Sequence, residues 1–304
     1  MHRVFPFVVS MGLSLAPLAA RAQAEGVARP AAARPASIQF KRSNARVGSA
    51  REVDSAVNMR LALDLRSDDI PEPLSVEMLV TTTSRHTVTT VAARGNVINK
   101  VKMAFGDVSE VSQEKGETQR KVSPISGKTY LAELKKGQLV ITDAAGNPAS
   151  KAELQEVQEH LPELGKPDLM EATFAGKSFV VGSTVDGFSG LLGQQMVGDQ
   201  GDDTQVTHTR AQLVEVRQAP EGTVGVFDVS MTMSRREADA PFLMTIPLKG
   251  QMSVLANGIQ LLELTLSGPV QLTLTEDEAA QGIQGKGEGE MRLRLSNRRV
   301  DSKG

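Results

Sequence analysis

One stretch of the sequence resembles the end of a phosphate-binding loop, Ser126-Gly-Lys-Thr129. A loop of this kind needs another glycine five residues before Gly127, because backbone N–H groups on both sides of the turn cradle the phosphates. Position 122 is valine. The pattern that follows is that of a strand, so the helix N-terminus that would hold an anion is missing. We therefore do not expect a nucleotide site here.

A second stretch, Gly187-Phe-Ser-Gly190, resembles the nucleophile elbow of serine hydrolases. The elbow needs a second glycine two residues after the serine, and Leu191 stands at that position. Ser189 could act as a nucleophile only if the fold brought His208 and an aspartate to it. A hydrolase is therefore the least favoured function.

Residues that bind metals or transfer protons are few and scattered. After an N-terminal leader is set aside, the chain has no cysteine and three histidines: His86, His160 and His208. This set is too small and too dispersed for a zinc site. Two acidic clusters lack the ordered spacing of a calcium loop: Asp199, Asp202 and Asp203, and Glu276, Asp277 and Glu278. The sequence predicts no catalytic residue, no metal and no cofactor.

The composition restricts the partners that the chain could bind. A formal net charge of −2 argues against a dedicated nucleic-acid-binding protein. Nine phenylalanines, one tyrosine and no tryptophan leave little material for stacking on bases or sugars. The 304 residues are 40% hydrophobic, so we expect a sizeable core of aliphatic side chains and twelve methionines.

The N-terminus has the pattern of a secretory signal peptide. A short apolar run over residues 4–18 precedes Ala20-Arg21-Ala22, which predicts cleavage before Gln23 and a signal peptide over 1–22. We therefore expect an exported protein, periplasmic or extracellular. Without cysteine it can form neither disulfides nor a lipid anchor.

The next segment, residues 23–50, is rich in alanine, proline and arginine and predicts a flexible linker. Its basic charge could give peripheral contact with an anionic membrane, and the alternative is a solvated spacer. Ile38 and Phe40 could begin an edge strand near its end.

The rest of the chain is organised around a strand–turn–strand–helix unit at residues 128–164. Two short apolar strands, 129–134 and 139–142, flank a turn in which Gly137 can adopt positive φ. Together these signals predict a β-hairpin that leads directly into a helix.

That helix has a clear start and a clear apolar face. Ser150 and Glu153 have the spacing of a capping box, and the pattern predicts an amphipathic helix over 151–161. Three apolar residues share one face: Leu154, Val157 and Leu161. The helix could cover a solid core, or it could act as a lid over a cavity.

Most of the remaining sequence alternates apolar and polar residues with a period of two, from Val57 onward. Asn257-Gly258 between two alternating runs predicts a tight hairpin. The stretches 113–121 and 267–269 predict a polar loop and a turn. We predict a single, mainly β domain over 51–299: a large antiparallel curved sheet or incomplete barrel of roughly ten to twelve strands, with one packed helix.

The hairpin and helix also carry a resemblance. Its pieces are Thr129-Tyr-Leu-Ala-Glu-Leu134, Gly137-x-Leu-Val-Ile-Thr-Asp143, and Gly146-Asn-Pro148 before the capped helix. In these the chain resembles uncharacterised secreted β-rich proteins of myxobacteria and related bacteria, a likeness that implies no particular chemistry. By architecture alone, it is similar to periplasmic lipoprotein carriers, whose incomplete barrel holds acyl chains.

We predict a non-enzymatic exported envelope protein that binds an apolar or lipid-like ligand inside its curved sheet. The residues predicted to line this site come from the apolar strand faces and the helix: Met103, Phe105, Leu154, Val157, Phe227, Met231 and Met233. The alternative is a structural or protein-interaction module with a filled core. The expected partner is accordingly an apolar ligand or an envelope protein, and not a nucleic acid.

Overall fold

The computed structural model describes residues 36–67, 70–161, 164–166, 168–188, 204–236, 242–275 and 284–300. Within these ranges the chain forms thirteen strands and two short helices. The strands are β1 Ser37–Gln39, β2 Ala50–Ser67, β3 Ile70–Arg94, β4 Val97–Glu114, β5 Glu117–Val122, β6 Thr129–Lys135, β7 Gln138–Asp143, β8 Ser178–Val180, β9 Thr204–Ala219, β10 Gly222–Arg236, β11 Phe242–Leu255, β12 Gln260–Leu274 and β13 Gln284–Val300. The helices are α1 Lys151–Glu159 and α2 Leu169–Phe174.

Eleven strands form one antiparallel sheet in the order β7-β6-β4-β3-β2-β13-β12-β11-β10-β9, with β5 paired to β4 beside β6. Two meanders, β2 to β7 and β9 to β13, therefore meet where β2 pairs with β13. Within the described residues the end strands β7 and β9 are not paired with each other, so the sheet is open. This confirms the predicted fold class, a mainly β protein built on a large antiparallel curved sheet.

Tight turns set the register of the long strands. At the β6–β7 turn both Lys136 (φ 50°) and Gly137 (φ 82°) are left-handed, as a two-residue hairpin turn requires. Gly95 and Gly258 also have positive φ, at the β3–β4 and β11–β12 turns. Because a slip of one residue would turn every side chain to the opposite face, these turns keep the apolar residues on the inner face.

Two of the sequence predictions about strand ends are wrong. The stretch 113–121 is not a loop, because β4 continues to Glu114 and β5 returns beside it with every residue exposed. The turn predicted at 267–269 lies inside β12, which passes through Gly268 and Pro269 while paired with β13. In both places the neighbouring strand decides the local structure, which a single strand's own pattern does not reveal.

The segment predicted as a linker contains a strand. β1 pairs antiparallel with β8, and Ile38 lies opposite Phe179, which confirms the edge strand expected at Ile38. Phe40 follows and is completely buried. The β1–β8 pair forms a small second sheet, whose buried residues pack with those of the large one.

Glycines on the inner face allow neighbouring strands to approach closely. A Cβ atom on Gly250 would overlap the backbone carbonyl of Thr265, and one on Gly268 would overlap the carbonyl of Pro247. Glycine usually weakens a strand. Here it removes the side chain that would collide, so the sheet can bend at these points.

The buried side chains form two apolar clusters. The first lies mainly on β9 to β13 and the adjoining part of β2, and includes Met59, Phe227, Met231, Leu248 and Leu293. The second lies mainly on β3, β4, β6 and β7, with one residue from the β5–β6 turn and one from α1, and contains Val88, Val101, Met103, Phe105, Val108, Ile125, Tyr130, Ala132, Ile141 and Val157.

A band of buried polar residues lies between the clusters. Ser55 of β2 is paired with Ser84 of β3, and Thr82 and His86 flank Ser84 at alternate positions of β3. All four are buried. We call this band the polar seam (Ser55, Thr82, Ser84 and His86). It interrupts the apolar inner face, so the two clusters pack as separate units.

Aromatic rings cover the first cluster. Phe40, Phe174 and Phe179 surround Phe227 of β10, with ring centroids 5.0–6.2 Å apart. Their tilted and edge-to-face arrangements suit the quadrupoles of aromatic rings. We call Phe40, Phe174 and Phe179 the aromatic plug. Phe174 belongs to α2, a short helix that the structure has in addition to α1.

The chain covers part of both edges of the open sheet. At β7, the Ala149 N–H donates to the Ile141 carbonyl. At β9, the Leu213 N–H donates to the Ser183 carbonyl and the Leu213 carbonyl accepts from Gly182. Unpaired edges invite pairing with another chain, so these contacts disfavour edge-to-edge association.

Replacing Gly250 by alanine tests the close approach of the strands. The added methyl group would overlap the Thr265 carbonyl, so we expect Gly250→Ala to lower the free energy of unfolding by about 1–3 kcal/mol. Urea denaturation followed by circular dichroism measures this loss. Gly106→Ala is the matched control, because its added Cβ would lie 3.4 Å from the Arg85 carbonyl oxygen, near ordinary contact. An equal loss in the control would show that overlap is not the cause.

Candidate functional site

Helix α1 begins as the sequence predicts. The Ser150 hydroxyl accepts from the Glu153 backbone N–H at 3.4 Å, and Glu153 Oε2 accepts from the Ser150 backbone N–H at 2.9 Å. This reciprocal pair is the predicted capping box. The helix ends at Glu159 with His160 as its C-cap, slightly earlier than the predicted end at 161.

Glu153 also ties the start of α1 to the sheet. Its Oε1 accepts hydrogen bonds from Lys128 Nζ at 2.7 Å and from the Tyr130 hydroxyl at 2.8 Å. The bonds from Lys128 and Ser150 hold the pKa of Glu153 at about 2. Burial and the bond to Glu153 raise the pKa of Tyr130. We call Lys128, Tyr130 and Glu153 the carboxylate clamp; the lysine of the phosphate-loop-like motif is part of it.

An open groove of about 390 Å³ lies beside the clamp. Small side chains such as Ala144 and Ala149 form part of its wall. Asp143, which also lines the groove, accepts hydrogen bonds from the backbone N–H groups of Ala145 and Asn147. The carboxylates of Asp143 and Glu153 are thus both engaged by the protein itself.

The apolar face of α1 packs on the second cluster. Val157 is completely buried, while Leu154 and Leu161 are half-buried against the same cluster. The predicted apolar face of the helix is therefore confirmed. Burying one such side chain contributes about 1.5–3 kcal/mol, so α1 is held by a small number of apolar contacts together with the clamp.

The structure does not bring the seven predicted lining residues together. Four belong to or pack on the second cluster: Met103, Phe105, Leu154 and Val157. Three belong to the first cluster: Phe227, Met231 and Met233. Apart from the half-buried Leu154, each is 7% exposed or less. The inner face at these positions is therefore occupied by the protein's own side chains.

Two histidines meet at the C-terminal end of α1. The ring centroids of His86, on β3, and His160 lie 5.2 Å apart, and Phe105 lies 5.3 Å from the first ring and 5.5 Å from the second. We call His86 and His160 the imidazole pair. Burial, with a further contribution from His160, lowers the pKa of His86 to about 3. Burial lowers the pKa of His160 to about 4.

A small cleft opens beside His160 and has a volume of about 40 Å³. This is room for a few water molecules but not for an acyl chain. Four charged residues line it: Glu110, Lys121, Glu156 and Glu159. Glu156 accepts a hydrogen bond from the Ser123 hydroxyl, and burial raises the pKa of Glu110.

The chemistry available in this region is limited. Among the described residues, no group of three or more His, Cys, Asp or Glu side chains could hold a metal ion. Ser123 donates to a carboxylate rather than to a histidine base. Ser84 Oγ and His86 Nδ1 are buried, and neither has a hydrogen-bond partner in the part of the chain that the structure describes. What these residues provide is a contact between helix α1 and the sheet through two histidines, side chains whose charge depends on pH.

Sequence reasoning missed the imidazole pair. His86 lies at an inward position of an alternating strand, and His160 lies next to the apolar Leu161. Each pattern could have indicated an inward histidine. Their contact depends on how α1 crosses the sheet, which neither local pattern contains.

Several predicted features lie outside the described residues. These are the signal peptide at 1–22, the first part of the linker, Ser189, and the two acidic clusters. His208 is described and is exposed on β9, with Nδ1 3.1 Å from the Thr207 hydroxyl. None of the described helices has the length and apolar character needed to cross a membrane.

Comparison with known proteins gives no family assignment. No family model matches the chain, and no curated protein matches it. It is similar to DynF from the dynemicin biosynthesis pathway of Micromonospora chersina, with 7% identity, a TM-score of 0.21, and coverage of 91% of this chain and 92% of that one. It is also similar to a β-barrel-like protein of a domain of unknown function from Brucella abortus, with 13% identity, a TM-score of 0.17, and coverage of 84% and 99%. Similarities this low carry no argument about function.

Removing the clamp carboxylate should loosen α1. Glu153→Ala deletes half of the capping box and the acceptor for Lys128 and Tyr130. We expect the free energy of unfolding to fall by about 1–2 kcal/mol, as for the loss of a helix cap, in urea denaturation. Gln158→Ala, exposed on the same helix, should change it by less than about 0.5 kcal/mol. Similar losses in both variants would contradict a role for the clamp.

The imidazole pair should make native stability depend on pH. The native pKa values, about 3 and about 4, lie below the ordinary value of 6.5. Between these limits the unfolded chain binds more protons, so stability is fully present above pH 6.5 and falls as the pH decreases. Histidine side-chain NMR measures the two titrations, and urea denaturation at pH 7, 5.5 and 4.5 measures the loss. His208→Gln, at an exposed position, is the control and should leave this dependence unchanged. Native pKa values near 6.5 for both histidines would rule out this dependence of stability on pH.

Proposed function

We propose that the protein is a non-enzymatic exported envelope protein with a filled core, which acts by binding another protein. The burial of the predicted lining residues carries this proposal: six of the seven are 7% exposed or less. Side chains enclosed to this degree leave no space for a ligand unless a cover moves. The exported location rests on the signal-peptide pattern at residues 1–22.

Because the interior is filled, a partner would bind to the outer face of the sheet. There, Arg85 Nε donates to Asp54 Oδ1 at 2.5 Å, and Arg298 donates to Asp54 and Glu52 at 3.0 and 3.2 Å. Because parts of both sheet edges are covered, a partner would meet polar side chains of this kind rather than add a strand. Contacts between exposed charges weaken as salt screens them, so we expect binding that is sensitive to ionic strength.

Apolar-ligand binding is the second candidate, and one observation favours it. The second cluster is covered in part by α1, whose only completely enclosed side chain is Val157. If α1 moved away, an acyl chain could take the place of Val157 and its half-buried neighbours on the strands. This mode of binding corresponds to the similarity with lipoprotein carriers.

Native mass spectrometry of the mature protein, purified from an envelope fraction, separates the two candidates. The filled-core proposal expects the mass of the chain alone and no saturable uptake in a titration with a fluorescent fatty acid. It also expects a reproducible protein partner in crosslinked envelopes, with a yield that falls between 0.05 and about 0.5 M salt. A bound lipid in near-stoichiometric amount would overturn this proposal and support the second candidate.

Val157→Ala is a useful variant for both tests. It creates space beneath α1 while leaving the outer face unchanged, so the filled-core proposal expects an unaltered crosslinking pattern and still no fatty-acid uptake. If a ligand binds beneath α1, fatty-acid uptake by Val157→Ala should instead differ from that of the wild-type protein. The exposed Gln158→Ala on the same helix is the matched control and should behave as wild type in both measurements.

A further inference from the structure

The two ends of α1 are attached to the sheet by different chemistry. The N-terminal end is held by the carboxylate clamp, in which Glu153 binds a lysine and a tyrosine at 2.7 and 2.8 Å. The C-terminal end is held by packing of His160 on His86 and Phe105. The first attachment uses a carboxylate that is already ionised. The second uses two imidazole rings, which gain a positive charge on protonation.

The clamp tolerates acid. Its carboxylate stays ionised well below pH 4 because three donors stabilise the charge. Acidification from pH 7 to about 4 therefore leaves the N-terminal attachment of α1 unchanged.

The imidazole pair does not tolerate acid. His86 is 4% exposed, and its Nδ1 has no hydrogen-bond partner among the described residues, so a proton on it adds a buried charge 5.2 Å from the other ring. Within the described residues, no hydrogen bond joins either imidazole to a carboxylate. The charged groups that act electrostatically on His86 are Arg51 and Asp54 of β2, and those that line the adjoining cleft are Glu110 of β4, Lys121 of β5, and Glu156 and Glu159 of α1.

These neighbours compensate a protonated pair only weakly: Asp54 favours the charged form of His86, but burial, His160 and Arg51 each oppose it more strongly. Asp54 is already bonded to Arg85 and Arg298, and Glu156 accepts from Ser123. Burial of Glu110 favours its neutral form as the pH falls. Release of the helix end would let the buried His86 reach water and would expose the half-buried His160 further, which lowers the cost of charging them.

The position of the polar seam makes such a release local. His86 belongs to the seam, on the side that adjoins the second cluster. The aromatic plug and the first cluster lie beyond Ser55 and Ser84. The two clusters do not share their buried side chains, so the second can open while the first stays packed.

We propose that α1 is an acid-released cover: protonation of His86 and His160 frees the C-terminal end of the helix, while the carboxylate clamp keeps its N-terminal end attached. The released helix uncovers an apolar strand face that includes Met103, Phe105 and Tyr130. The release itself takes place whether the protein's partner is another protein or a lipid.

Hydrogen exchange of the full mature chain at pH 7.0 and 4.5 tests the proposal, with labelling times scaled for the intrinsic effect of pH. Uptake of one proton changes an opening equilibrium by about tenfold per pH unit. We expect protection in peptides covering 151–161 to fall at least about tenfold relative to peptides from β10 and β11. Unchanged protection in α1, or a parallel loss in β10 and β11, would overturn the proposal.

Variants of the histidines identify the groups whose protonation releases α1. The double variant His86→Phe with His160→Phe keeps two aromatic rings that cannot titrate, so its α1 protection should not depend on pH. His208→Phe is the matched control and should retain the wild-type response. A wild-type response in the double variant would show that other groups open the helix.

A second measurement covers the case in which the double variant does not fold. In wild-type protein, NMR signals of the α1 amides and of the two imidazoles should change with the same midpoint as the pH is lowered. Separate midpoints would show that protonation and release are not coupled, and would overturn the proposal.

Discussion

The structure depends on one constraint: an antiparallel sheet that is not closed has an apolar inner face that must be kept from water. The sheet bends strongly enough to enclose this face in part, because glycines such as Gly250 and Gly268 let the strands approach. The pairing of β2 with β13 joins the two meanders into one continuous surface. The ends of the sheet remain apart, so other elements must complete the burial.

Two covers meet this requirement in different ways. The aromatic plug buries large rings against one another, and each ring pair adds about 0.5–1.5 kcal/mol beyond the area that it buries. Its ring contacts are made by phenylalanine side chains, which carry no charge. Helix α1 buries less apolar surface and relies on a salt bridge, a tyrosine hydroxyl and two imidazoles. The first cover is thus held by uncharged rings, whereas the second includes two side chains whose charge depends on pH.

Local features of the fold could be predicted from the sequence because their causes are local. The capping box of Ser150 and Glu153 and the turn at Gly137 are each determined within a few residues. The pattern of apolar residues predicts inward positions for the seven lining residues, and all seven are at least half-buried. Their division between two clusters could not be predicted, because it follows from the order of strands across the sheet. The exposed β5 lacks apolar alternation, so only its pairing with β4 defines it.

The candidate site shows the same division between local and long-range causes. The inward positions of His86 and His160 follow from strand alternation and from the helix face, but their contact requires α1 to cross β3 and β4 at one particular place. Apolar side chains there would bury similar area without the cost of desolvating a polar ring. The imidazole pair therefore does not increase stability at acidic pH. What it adds is a difference between neutral and acid conditions, and it adds this at the end of α1 that lies away from the carboxylate clamp.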